Sequence, residues 1–163
     1  MNEKIILLDL NYTLVSNQLK TRMLHPIEVR LRAEEYRRDL IKAIAENYVI
    51  IITARPSYQG DKSIENIKTK TGWEPNESYF NDLNFDPPTI KESILNRFVF
   101  PKHGKDGSKY LAIESNPKTR DMYRRHGIHA EPYEVFIKRF PDLLIEENCK
   151  EVQLSLFNKE CYE

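Results

Sequence analysis

Apolar residues gather in three unbroken runs, Ile5-Ile6-Leu7-Leu8, Val49-Ile50-Ile51-Ile52 and Tyr110-Leu111-Ala112-Ile113. Continuous rather than alternating runs of this length are expected of strands buried on both faces of a parallel sheet. Between the first two, Ile27, Leu31, Tyr36, Leu40, Ile41 and Ile44 recur at helical spacing, with Pro26 near the first turn. One helix is predicted there, completing a strand-helix-strand unit. Further helices are predicted over 63–71, ending at Gly72, over 89–98 after Pro87 and Pro88, and over 117–126, stopped by Gly127. Residues 128–132 return as a short last strand, while 59–88, rich in Asn, Asp, Gly and Pro, read largely as loop. Strands alternating with helices predict an α/β fold, a doubly wound parallel sheet.

At 163 residues the chain suits one core, here placed in residues 1–140. Residues 141–163 change character, mixing acidic side chains with one compact apolar cluster, and read as a tail. Hydrophobic residues make up 40% and charged residues 31%, which excludes a disordered or membrane-embedded chain. The 25 basic and 25 acidic side chains cancel, so net charge neither requires nor excludes nucleic acid. Cys149 and Cys161 are spaced too widely for a redox or zinc pair and read as free thiols. No membrane span or signal peptide is visible, so a cytoplasmic location is expected.

In parallel sheets, ligands bind at the carboxyl ends of strands. The first run is followed by Asp9-Leu10-Asn11-Tyr12-Thr13, the second by Thr53-Ala54-Arg55 and the third by Glu114-Ser115-Asn116, with Lys91 before the third. Taken singly these are ordinary residues, since a lone Asp after a strand usually caps a turn and a lone Lys is usually solvated. In this order they resemble the four signature motifs of the haloacid dehalogenase-like (HAD) phosphatase superfamily. Residues 110–128, with an apolar strand, an acidic position and then Met-Tyr-Arg-Arg-His-Gly, and residues 89–94 around Lys91 are similar to the 3'-phosphatase half of phage polynucleotide kinase-phosphatase.

The resemblance implies a HAD-like Rossmannoid sheet and a Mg2+-dependent phosphatase working through an aspartyl phosphate. Asp9 is then the nucleophile, Asn11 stands at the general-acid position, and Thr53 and Lys91 grip the phosphoryl group. Ala54 belongs to the substrate-binding segment, while Arg55 reads equally as a phosphate contact and as a structural ion. Asp9, the backbone carbonyl of Asn11 and Glu114 form the implied Mg2+ set, all oxygen donors. Ser115 and Asn116 read as turn residues, with outer-shell metal contact as the alternative.

Asn11 departs from the family pattern, because an amide cannot donate and recover a proton. Acid-base assistance is worth about 10²- to 10⁴-fold, so slow turnover is expected. Ser115 likewise stands where a carboxylate is usual. Only the short segment 15–26 is available for a lid, which implies a minimal cap and an open site suited to a nucleic-acid end. Lys102, Lys105, Lys109, Lys118, Arg120, Arg124 and Arg125 are candidates for a phosphate-binding rim, or equally for a merely solvated surface.

In the tail, Gln153-Leu154-Ser155-Leu156-Phe157 resembles the pentapeptide by which many bacterial proteins bind the β sliding clamp. Gln153 offers an amide for hydrogen bonding, and Leu156 and Phe157 are compact apolar anchors. The competing reading packs Leu154, Leu156 and Phe157 onto the core. The expected function is therefore a phosphatase of nucleic-acid 3'-ends or nucleotides, tethered to the clamp. The alternatives are a non-catalytic clamp-binding protein of phage origin that modulates replication, and a small-metabolite phosphatase.

Overall fold

The computed structural model describes residues 3–144 and orders five strands as β3-β2-β1-β4-β5, every neighbouring pair parallel. β1 (Ile5–Leu8) lies at the centre, flanked by β2 (Val49–Pro56) and β4 (Tyr110–Ile113), with β3 (Glu77–Asn81) and β5 (His129–Glu131) at the edges. The three apolar runs are thus the three central strands. Their side chains alternate between two cores. Ile6, Leu8, Val49 and Ile51 pack on one face with Leu40, Ile41 and Ile44 of α3 (Arg38–Ile44) and Ile67 of α4 (Gly60–Thr71). Leu7, Ile50 and Ile52 pack on the other with Ile90 and Ile94 of α5 (Pro87–Ile94) and Met122 and Tyr123 of α7 (Pro117–Arg125). The result is a three-layer, Rossmann-like α/β fold.

Helix boundaries follow the local chemistry. Gly72 ends α4 in the left-handed conformation, which glycine adopts without a Cβ penalty. Asn116 caps α7 by accepting from the Lys118 N–H, with Pro117 in the first turn. α5 continues through a wider turn over Leu95–Val99 into α6 (Phe100–His103), beyond the predicted end at 98.

Two expectations are corrected. The single helix predicted from Ile27 is two, α2 (Ile27–Ala33) and α3, because residues 34–37 leave the helix. There Glu34 turns inward, Tyr36 bridges Val15 and the Arg37 N–H bonds the Leu14 carbonyl. Lys70 Nζ holds the freed carbonyls of Leu31, Arg32 and Glu34. The segment 59–88, read largely as loop, contains all of α4, which starts at Gly60 ahead of the predicted 63, and β3, an edge strand only half-buried along its length. The segment 15–26 holds one short helix, α1 (Gln18–Thr21). No helix among the described residues is long and apolar enough to cross a membrane.

Candidate active site

The carboxyl ends of β1, β2 and β4 surround a cavity of about 170 Å³ lined by Asp9, Asn11, Tyr12, Ala54, Pro87, Lys91, Glu114, Ser115 and Asn116. Larger hollows lie elsewhere, including one of about 610 Å³ beside Arg32, Arg38 and Lys70. There Lys70 is already bonded to carbonyls and Arg38 to the Lys70 carbonyl.

Asp9, at the tip of β1, is 6% exposed and accepts three hydrogen bonds. Lys91 Nζ donates to Oδ1 at 2.7 Å, while Thr13 Oγ1 and Ser115 Oγ donate to Oδ2 at 2.9 and 3.0 Å. Lys91 comes from α5, 82 residues further along the chain, and is itself 2% exposed. Its ammonium also meets Glu114 Oε2 at 2.5 Å. Burial opposes the lysine's charge, but the Asp9 and Glu114 carboxylates outweigh it and hold its pKa above the ordinary value. Glu114 is pushed up to about 7, by burial first and by the Asp9 charge second, against the pull of Lys91.

The backbone after Asp9 turns sharply. Tyr12 has φ +63, unusual for a residue with a side chain, and stands at the cavity mouth. The turn closes when the Val15 N–H bonds the Leu10 carbonyl. It brings the Asn11 carbonyl within 3.4 Å of Ser115 Oγ, which also serves Asp9. Two oxygens of the implied metal set therefore converge on one hydroxyl. Asp9, the Asn11 carbonyl and Ser115 Oγ make an all-oxygen corner that suits Mg2+, a cation that keeps several waters and needs only one or two carboxylates. Glu114 is less available than expected, with Oε1 taken by the Asn116 N–H at 2.9 Å and Oε2 by Lys91. Among the described residues, no three His, Cys, Asp or Glu side chains group as a metal site.

Ser115, read from sequence as a turn residue, thus touches Asp9 directly. Two other expectations change. Thr53 is fully buried and off the cavity wall, its Oγ1 accepting from the Arg55 N–H at 3.1 Å, while Ala54 provides the wall. Arg55 does not reach toward a substrate phosphate. It is 2% exposed, with Nη2 2.6 Å from Glu34 Oε1 and 2.8 Å from Asn11 Oδ1, and Nη1 2.9 Å from Ser63 Oγ. Nothing in the sequence marks Glu34 as its partner, because the contact depends on the helix break at 34. Tyr36 also donates to Glu34, and burial together with that charge pushes its phenol pKa up.

The proposed basic rim divides. Lys102 pairs with Glu77 where β3 begins, and Lys105 and Lys109 precede β4, so these lie at the opposite end of the sheet from the cavity. Lys118 and Arg120 follow β4 on the cavity side, with Arg120 Nη1 holding the Glu114 and Ser115 carbonyls. Arg124 pairs with Asp121. The clamp-like segment Gln153–Phe157 lies outside the described residues.

No family model matches this chain, and no curated protein matches it in sequence. In fold it is similar to a chain in the structure of the Pnkp1/Rnl/Hen1 RNA repair complex, with a TM-score of 0.60 and 15% identity. The match covers 80% of this chain and 42% of that one, so this chain spans less than half of the length it matches. At that identity the likeness is one of fold alone.

Proposed function

We propose that this chain is a Mg2+-dependent phosphatase of the HAD type that forms an aspartyl phosphate on Asp9 and acts on phosphorylated nucleic-acid ends or nucleotides. The observation that carries the reading is Asp9 itself. A carboxylate sits at a parallel-strand tip, on the wall of a cavity, between a buried ammonium and a corner of convergent oxygens. Asp9 attacks phosphorus, Lys91 offsets charge beside it, and Asn11 and Ser115 complete the wall. Asp9, the Asn11 carbonyl and Ser115, with Glu114 nearby, would hold Mg2+, which would neutralise the phosphate's charge.

The cavity accommodates a phosphoryl group and little more, so the rest of the substrate lies outside. Tyr12, Tyr58 and Phe85, which follow β1, β2 and β3, are exposed aromatic faces of the kind on which bases stack. The fold shared with a chain of an RNA repair complex is in keeping with such a substrate. Gln153, Leu154, Ser155, Leu156 and Phe157 tether the protein to a bacterial β sliding clamp in this reading.

A second reading, a binding protein without turnover, is favoured by Asn11 at the acid position and by the engagement of both Glu114 oxygens. Phosphate release from 3'-phosphorylated DNA and RNA, 5'-nucleotides and an aryl phosphate, with and without Mg2+, separates the two. Metal-dependent release that is lost in Asp9→Asn supports the enzyme. No release from any of them, with clamp capture abolished by Leu156→Ala and Phe157→Ala, supports the binder. Clamp retention undiminished by removal of residues 153–163 eliminates the tether.

A further inference from the structure

The orientation of the Asn11 amide is determined by its neighbour. A guanidinium only donates, so the atom 2.8 Å from Arg55 Nη2 is Oδ1 and the amide nitrogen is turned away from it. Among the described residues Asn11 Nδ2 has no hydrogen-bond partner, and Asn11 lines the cavity. Arg55 is itself immobilised by Glu34 and Ser63, all three being buried. The wall beside Asp9 therefore offers a fixed N–H donor. It can stabilise negative charge on an oxygen but has no proton to give up.

The other groups around the cavity do not make good that lack. Lys91 is held between two carboxylates, both Glu114 oxygens accept hydrogen bonds, and Ser115 gives its proton to Asp9 and the Asn11 carbonyl. Tyr12, at the mouth, accepts from Arg22 at 3.4 Å and is the one remaining hydroxyl on the wall.

We infer that this site takes phosphoryl groups only from leaving groups that depart as free anions, above all phosphoanhydrides such as nucleoside polyphosphates, with Glu34 and Arg55 as a positioning pair that presents Asn11 Nδ2–H to the departing oxygen. The inference rests on the phosphoryl-transfer reading above and narrows its substrate class. In the first step an Asp9 oxygen bonds to phosphorus, the bridging P–O bond breaks, and its electron pair leaves with the departing phosphate oxygen. That oxygen belongs to a group whose pKa is about 6, so no proton is needed. A sugar alkoxide is a far stronger base than a departing phosphate, so it needs one and does not depart. In the second step water attacks the phosphorus, the carboxylate recovers its electron pair, and the surplus proton passes to solvent. With no base to collect it, aspartyl phosphate accumulates.

The test uses the full chain with Mg2+ and three kinds of substrate: a nucleoside triphosphate, aryl phosphates of graded leaving-group acidity and a 3'-phosphorylated oligonucleotide. Turnover and the rate at which acid-quenched phosphoaspartate forms, the latter by mass spectrometry, are both read. The expected result is turnover of the triphosphate, rates of phosphoaspartate formation that fall steeply as the aryl leaving group becomes less acidic, and no detectable cleavage of the 3'-phosphate. Asn11→Asp is expected to raise 3'-phosphate cleavage by about 10²- to 10⁴-fold and to flatten the aryl series. Arg55→Lys keeps a cation on Glu34 but loses the second nitrogen, so phosphoaspartate formation slows about tenfold with substrate affinity nearly unchanged. Equal wild-type rates of phosphoaspartate formation across the aryl series overturn the inference and leave the phosphatase reading intact. So does a slope that steepens only in Tyr12→Phe, which makes Tyr12 the acid. No phosphoaspartate from any substrate overturns both.

Discussion

Arg55 Nη2 and Glu34 Oε1 lie 2.6 Å apart, and their side chains are 1% and 0% exposed. Both ions have left water, so the attraction between them serves mainly to offset desolvation, and the pair is expected to be costly to break from one side. Glu34→Gln leaves Arg55 without its counter-charge and should lower stability by about 3–5 kcal/mol. The double variant Glu34→Gln, Arg55→Met removes both charges and should recover a good part of that loss. Urea unfolding of the two variants and wild type checks this. A double variant no more stable than Glu34→Gln contradicts it.

Lys91 has the reverse arrangement, one cation between the carboxylates of Asp9 and Glu114. Lys91→Met leaves two buried acids facing each other and should cost about 3–5 kcal/mol. Adding Glu114→Gln removes one of them and should restore part of the loss. Asp9→Asn alone leaves Lys91 paired with Glu114 and is expected to be the mildest of these changes, although it abolishes phosphoryl transfer. Thermal unfolding of the three, set beside phosphate release, separates the structural from the chemical role.

At the other end of the sheet, Glu77 Oε1 meets Lys102 Nζ at 2.5 Å, the Tyr48 hydroxyl at 2.7 Å and His103 Nε2 at 2.9 Å, and Oε2 meets the Tyr79 hydroxyl at 2.8 Å. Burial works against this carboxylate, but Lys102 and the three ring partners outweigh it and lower its pKa from 4.5 to about 2. A depressed folded-state pKa stabilises the fold above the unfolded-state value, and that stabilisation is lost as the pH falls. Glu77→Gln should therefore be less stable than wild type at pH 7. The difference should close as the pH falls from 4.5 toward about 2. A gap that stays constant across that range would show that the carboxylate is not what holds the cluster.

The central sheet is legible in the sequence because its strands are buried on both faces. Burial demands runs such as Ile5–Leu8 and Val49–Ile52, and such runs have few other uses. β3 escapes because an edge strand needs only one paired side, and Glu77-Ser-Tyr-Phe-Asn81 reads like the loop residues around it. At the site, Asp9, Lys91 and Glu114 are readable from their places after or between strands, and the structure gathers them around one cavity. The break at Glu34 is not readable, since the helical spacing carries on through it. A buried salt bridge and a lysine bound to three carbonyls, neither of which is local in sequence, outweigh that periodicity. For the same reason Arg55 reads equally as a phosphate contact and as a structural ion until its partner is seen.

Ser115 offers the sharpest test of where a metal sits. Its Oγ is 3.0 Å from Asp9 Oδ2 and 3.4 Å from the Asn11 carbonyl, so it occupies the corner on which both oxygens converge. Ser115→Asp sets a second carboxylate there. Without Mg2+ the new charge faces Asp9 and the fold should lose stability, because like charges in a buried site repel. With Mg2+ the same carboxylate becomes a ligand, and the ion should bind at least about tenfold more tightly than to wild type, adding about 1.4 kcal/mol to the metal-linked gain in stability. The unfolding temperature of the variant is thus expected below wild type in chelator and to rise more steeply with Mg2+ concentration, with calorimetry giving the affinities directly. An equal Mg2+ response in the two proteins would mean that the ion does not use this corner, and the oxygen set built on Asp9 and Asn11 would have to be abandoned.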